Sequence, residues 1–105
     1  MADVVLLVDD DERVLDGLVR ALRRERFGLR TARSGQQAIQ ILGSQQIGVV
    51  VTDERMPGMS GNDLLAWMVQ NCSEVMRIVL TGHPSGAVAI RAINEGSVFR
   101  VLTKP

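Results

Sequence analysis

Ile47-Gly48-Val49-Val50-Val51-Thr52-Asp53, followed after a short loop by Ser60-Gly61-Asn62-Asp63-Leu64-Leu65, decides the fold class of this chain. The run Ile47–Thr52 is short, apolar and rich in valine, which suits a strand buried on both faces of a parallel sheet. Ser60 and Asp63 stand three residues apart just before an apolar pair, the spacing of a capping box, so a helix is expected to start there. Leu64, Leu65 and Met68 then supply the apolar stripe of that helix.

The same alternation extends in both directions. Val4–Val8 and Met76–Thr81 are equally apolar runs, and Phe27–Ala32 and Val98–Leu102 read as weaker strands with more polar content. Between them, Val14, Leu15, Leu18, Val19 and Leu22 recur at helical spacing with arginines opposite. Ala38, Ile41 and Leu42 mark a second helix, which Ser34 could cap. Val88, Ile90 and Ile93 mark a fourth, which Gly96 would close. Strict alternation of this kind predicts an α/β fold with a parallel sheet and right-handed crossovers. The chain stops at Lys104-Pro105, directly after the fifth strand, so a helix to cover one sheet face is missing and a longer natural protein is expected.

At 105 residues the chain makes one domain, taken here as 1–105, with no linker or internal repeat. Its hydrophobic fraction of 46% argues against disorder, and the balance of 12 basic and 12 acidic residues advertises neither nucleic acid nor a membrane surface. The apolar run at Val4–Val8 is too short for a signal core, and nothing reaches the length of a membrane span. Cys72 is the only cysteine, which excludes an internal disulfide and fits a reducing compartment; it reads as a small helix-end hydrophobe. A soluble, cytoplasmic protein is expected.

In open parallel sheets, ligands bind beyond the carboxyl ends of the strands. The first strand ends in Asp9-Asp10, the third in Asp53, the fourth in Thr81 and the fifth in Lys104, the sole lysine. Each has an ordinary explanation taken alone: aspartates after a strand cap the next helix, a threonine before glycine makes a turn, and a lysine is a surface charge. Asp11 and Glu12 are read in that ordinary way. Together, the other five place carboxylates, a hydroxyl and an ammonium on one rim. Crowded carboxylates repel one another unless a cation neutralises them, and Mg²⁺ does so with oxygen ligands. A carboxylate beside Mg²⁺ can attack phosphorus and form an aspartyl phosphate. Lys104 and Thr81 could then cover the remaining phosphoryl oxygens.

Four segments resemble the receiver domains of two-component response regulators. They are Leu7-Val8-Asp9-Asp10-Asp11, Val51 through Gly61 (with Asp53-Glu54-Arg55-Met56-Pro57-Gly58 at its centre), Leu80-Thr81-Gly82 and Leu102-Thr103-Lys104-Pro105. The resemblance implies a flavodoxin-like doubly wound sheet of five parallel strands in the order 2-1-3-4-5. It implies that Asp53 is the phosphoacceptor, and that Asp9, Asp10, Asp53 and the backbone carbonyl of Arg55 hold Mg²⁺. Thr81 would be the switch hydroxyl and Lys104 the phosphoryl contact, aimed inward by a cis bond to Pro105. The implied donor is a phosphohistidine on a sensor histidine kinase or phosphotransfer protein. A C-terminal output domain absent from this chain would receive the signal, and a homodimer is compatible with the resemblance. Such a domain catalyses only its own phosphorylation and dephosphorylation.

The chain departs from the family pattern at Val101, where an aromatic switch residue is usual; Phe99, on the same strand face, is expected to substitute in part. The missing last helix leaves the usual dimerisation surface open. Two other classes compete. An idle receiver-like binding module would lack the phosphoacceptor, the acidic pair or the lysine, all of which are present. A haloacid-dehalogenase-type phosphatase would need a second acid two residues after the nucleophile, where Arg55 stands. The arginines at 20, 23, 24, 26, 30 and 33 lack interleaved aromatics, so they read as a solvated face or a kinase-docking surface rather than a nucleic-acid site. Arg55 and His83 occupy positions at which family members tune dephosphorylation.

Overall fold

The computed structural model describes residues 4–81 and 100–103, the last four and Thr81 as backbone. The elements run β1 (Val4–Val8), α1 (Glu12–Leu22), β2 (Gly28–Ala32), α2 (Gly35–Ser44), β3 (Val49–Asp53), α3 (Gly61–Asn71), β4 (Met76–Thr81) and β5 (Arg100–Thr103). The strands form a single sheet in the order β2-β1-β3-β4-β5, with every neighbouring pair parallel. The expected helix over Val88–Ile93, together with His83, Phe99, Lys104 and the Lys104–Pro105 bond, lies outside the described residues.

The strand order fixes where the helices go. The step from β1 to β2 runs one way across the sheet, and the steps from β2 to β3 and β3 to β4 run the other way. With right-handed crossovers, α1 covers one face, and α2 and α3 cover the opposite one. The core records this division. Leu6, Val8, Val50 and Val79 from the strands cluster with Ala38 of α2 and with Leu64, Leu65 and Met68 of α3. Leu7, between Leu6 and Val8, is also buried but points to the other face, as the two-residue period of a strand requires.

Strand limits shift slightly from the sequence expectation. β3 starts at Val49 rather than Ile47, although Gly48 already bonds to both neighbours: its N–H donates to the Val4 carbonyl at 2.9 Å and its carbonyl accepts from Met76 N–H at 3.0 Å. Ile47 is nevertheless buried in the core. β2 starts at Gly28 rather than Phe27, and β5, described over Arg100–Thr103, runs one residue past the expected Leu102, while Val98 and Phe99 lie outside the described residues. The polar content of β2 has a simple cause, since it is an edge strand and four of its five residues are not buried.

Local capping matches the sequence expectation. Asp11 caps α1 by accepting the Arg13 N–H at 2.9 Å, and Ser34 caps α2 by accepting the Gln37 N–H at 3.0 Å. At α3 the capping box is complete: Ser60 Oγ accepts the Asp63 N–H at 3.1 Å, and Asp63 Oδ2 accepts the Ser60 N–H at 3.2 Å. Ser60→Ala removes one half of this box and is expected to cost about 1 kcal/mol in urea denaturation. An unchanged midpoint would show that the box adds nothing to the packing of α3.

Cys72 closes α3, its N–H donating to the Met68 carbonyl at 2.7 Å, and it is half-buried against the core. Burial pushes its thiol pKa up, the nearby Glu74 carboxylate adds to the effect, and Arg77 opposes both. Alkylation by iodoacetamide at neutral pH is therefore expected to be slower than for free cysteine, because the thiolate is the reacting form. A rate equal to that of free cysteine would contradict this.

Candidate functional site

The strand order reverses between β1 and β3, so the carboxyl ends of these two strands open the natural crevice of the sheet. Their pairing sets Val8 against Thr52, so the next residue on each strand, Asp9 and Asp53, emerges side by side. Asp9 is 2% exposed and Asp53 8% exposed. Asp10 follows on the solvent side, and one carboxylate oxygen from each of Asp9, Asp10 and Asp53 lies within 4.8 Å of the others. The three acids expected from the sequence to hold a metal are thus brought together.

The surrounding backbone fixes them. Asp9 donates its N–H to the Ala32 carbonyl at 3.1 Å, and its Oδ1 accepts the Asp11 N–H at 2.9 Å. Thr52 Oγ1 donates to the Asp53 carbonyl at 3.1 Å. The N-terminus of α3 presses on the same point: a Cβ at Gly61 would overlap the Asp53 carbonyl oxygen and lie 3.1 Å from the Glu54 Cα. Only glycine allows that approach. The intervening loop bends at Pro57-Gly58, where Gly58 has a φ of 80°, a left-handed conformation that favours glycine.

The electrostatics follow from the placement. Two buried carboxylates and one exposed one share a small volume, an arrangement costly unless a cation offsets it. The donor set fits Mg²⁺, which takes carboxylate oxygens, and Asp9, Asp10 and Asp53 would hold it. Asp11 and Glu12 stand apart from the cluster, as expected. Asp11 has its carboxyl held below the usual aspartate range, first by the Arg13 backbone N–H and then by the Arg13 side chain. Glu12 faces Arg33 at 3.9 Å on the open surface, a pair worth little in water.

Thr81 ends β4, and its backbone pairs with Thr103 of β5, so both strands finish at the rim that bears the acids. The Thr81 side chain and Lys104 lie outside the described residues. Arg55 enters the loop directly after the strand with its side chain 80% exposed.

Two charged residues escaped the sequence reading. Glu54 is 7% exposed, with Oε1 3.6 Å from Arg55 Nε and Oε2 buried without a hydrogen-bond partner among the described residues. Arg77 is 5% exposed at the other end of the sheet, its Nη1 donating to the carbonyls of Ser73 at 2.9 Å and Val75 at 3.1 Å. An acid after a strand and an arginine early in one both read as surface charges. No local pattern marks them as buried.

With this geometry in view, comparison with known proteins is direct. The family model described as response regulator receiver domain matches residues 5–105. The hydrogenase transcriptional regulatory protein HoxA of Cupriavidus necator is 35% identical over 101 residues, covering 96% of this chain and 21% of that protein. The transcriptional regulatory protein GlrR of Escherichia coli is 37% identical over 101 residues, again 96% of this chain and 22% of the relative. The chain therefore spans about a fifth of the length of these relatives. Among solved structures, the signal receiver domain of an HD domain-containing protein from Pseudomonas fluorescens superposes with a TM-score of 0.93 at 37% identity, covering 100% of this chain and 84% of that one. Among the described residues, no helix is long and apolar enough to cross a membrane. Sequence match, strand order and acidic cluster agree, and the chain belongs to the response regulator receiver domain family.

Proposed function

We propose that this chain is a phosphorylation switch in which Asp53 takes a phosphoryl group from a phosphohistidine on a sensor kinase or phosphotransfer protein. The observation that carries this reading is the convergence of Asp9, Asp10 and Asp53 within 4.8 Å, with Asp53 at the end of β3. A carboxylate oxygen of Asp53 attacks phosphorus in line, the P–N bond to the donor imidazole breaks, and the imidazole leaves with the electron pair and takes up a proton. Asp9, Asp10, Asp53 and the Arg55 carbonyl would hold Mg²⁺. When bound, the metal supplies the positive charge that offsets the crowded carboxylates and the phosphoryl oxygens.

The chain's own residues do the positioning. Asp9 is held by the Ala32 and Asp11 backbone, and Asp53 is held by Thr52 and by the start of α3. Lys104 neutralises one phosphoryl oxygen, and Thr81 donates to another, drawing the end of β4 towards the phosphate. The relatives are transcriptional regulators several times longer than this chain, so the switch is read by an output domain beyond it. In this role the chain acts in the cytoplasm and catalyses only its own phosphorylation and dephosphorylation.

The test is intact mass after incubation with acetyl phosphate. A gain of one phosphoryl group that needs Mg²⁺ and disappears with chelator is the expected result. No gain, together with no spectral change on adding beryllofluoride, would overturn the switch in favour of an idle binding module.

A further inference from the structure

Glu54 is a buried acid that the phosphoryl chemistry leaves unused. It is not one of the three acids that converge, yet it sits next to Asp53 and is 7% exposed. Its backbone is clamped on both sides. The N–H donates to the Leu80 carbonyl at 3.2 Å, and the carbonyl accepts the Gly61 N–H at 3.0 Å. Residue 54 therefore cannot swing outward without parting β3 from β4 and from the start of α3.

Among the described residues its side chain makes one ion pair, from Oε1 to Arg55 Nε at 3.6 Å, and Oε2 is buried with no hydrogen-bond partner. Arg55 is the opposite kind of residue, long and 80% exposed. A buried carboxylate loses solvation that only a partner can restore, so Glu54 favours keeping the Arg55 guanidinium close. Glu54 is the fixed member of the pair, and Arg55 is the one held.

We infer that Glu54 is a positioning residue, whose buried carboxylate leashes the Arg55 guanidinium and keeps that charge out of the cluster of Asp9, Asp10 and Asp53. The inference rests on the proposed metal site. Arg55 lies two residues from Asp53, and a guanidinium is a planar fork suited to carboxylates. Released, it reaches for the same oxygens a divalent cation needs. Leashed, it leaves the acids open.

The experiment is a double-mutant cycle read by Mg²⁺ calorimetry, with no phosphoryl donor present. Glu54→Leu is expected to raise the Mg²⁺ dissociation constant about fivefold when Arg55 is present, and by less than about twofold in an Arg55→Gln background. Melting temperature is expected to hold or rise, because replacing a half-paired buried charge with an apolar side chain of similar size is neutral or stabilising. If Glu54→Leu does not fold, Glu54→Gln takes its place in the same cycle. Equal weakening in both backgrounds would show that Glu54 acts through its own charge and would overturn the leash, as would no change in either. An unmodified chain that binds no Mg²⁺ would overturn the metal site along with it. A normal Mg²⁺ titration with an additive cycle overturns the leash alone.

Discussion

Asp53→Asn is expected to abolish Mg²⁺-dependent phosphoryl uptake, lowering the rate by at least about a thousandfold while leaving the fold in place. The amide matches the carboxylate in size but offers no anionic oxygen to attack phosphorus, so the step loses its nucleophile rather than a helper. Mg²⁺ affinity is expected to fall as well, since one of the three converging carboxylates is gone. The fold survives because removing one charge from a crowded set lowers repulsion, and Asp53 is placed by backbone pairing along β3. Circular dichroism with a urea titration checks the fold, and intact mass checks the chemistry. Uptake at an undiminished rate in a folded Asp53→Asn variant would mean that another residue accepts the phosphoryl group.

Gly61→Val is expected to cost about 3 kcal/mol or more in urea denaturation and to slow phosphorylation as well. The new Cβ would overlap the Asp53 carbonyl oxygen, lie 2.9 Å from its carbonyl carbon and 3.1 Å from the Glu54 Cα. All three atoms belong to the backbone, so no rotamer change relieves the clash. The chain can yield only by moving α3 away from β3. That movement breaks the bond from Gly61 N–H to the Glu54 carbonyl and displaces the strand end that presents Asp53. Gly17→Ala is the matched control with the opposite sign. Nothing lies within 4 Å of a Cβ at Gly17, inside α1, so the alanine is expected to stabilise by about 0.5–1 kcal/mol through helix propensity. Equal effects at the two glycines would refute the close approach of α3 to the phosphoacceptor strand.

Residue pattern alone carried much of this architecture. Val4–Val8 and Met76–Thr81 stand in the structure with the limits read from their apolar runs, because strands buried on both faces leave no room for polar residues. Ser60 and Asp63 announced α3 through side chains that bond to backbone only a few residues away. Asp9, Asp10 and Asp53 were legible because parallel strands end on one rim, which turns distant sequence positions into neighbours. The strand order itself came from family resemblance, since alternation of strands and helices is compatible with several orders. The role of Gly61 was hidden, because its constraint comes from the carbonyl of Asp53 across a loop rather than from its own helix. Glu54 and Arg77 were hidden for a related reason. Their burial depends on elements packed over them, and a charged residue at a strand end looks the same in sequence whether covered or not.

The most direct test of the account is to find which residue carries the phosphoryl group. The chain is incubated with Mg²⁺ and acetyl phosphate, reduced with borohydride, digested and sequenced by tandem mass spectrometry. An acyl phosphate on a carboxylate is reduced to the alcohol, so homoserine is predicted at position 53, where β3 runs into the loop 54–60. Homoserine at position 9 or 10 with none at 53, or a phosphoryl group on a hydroxyl that survives reduction, would contradict the assignment of Asp53.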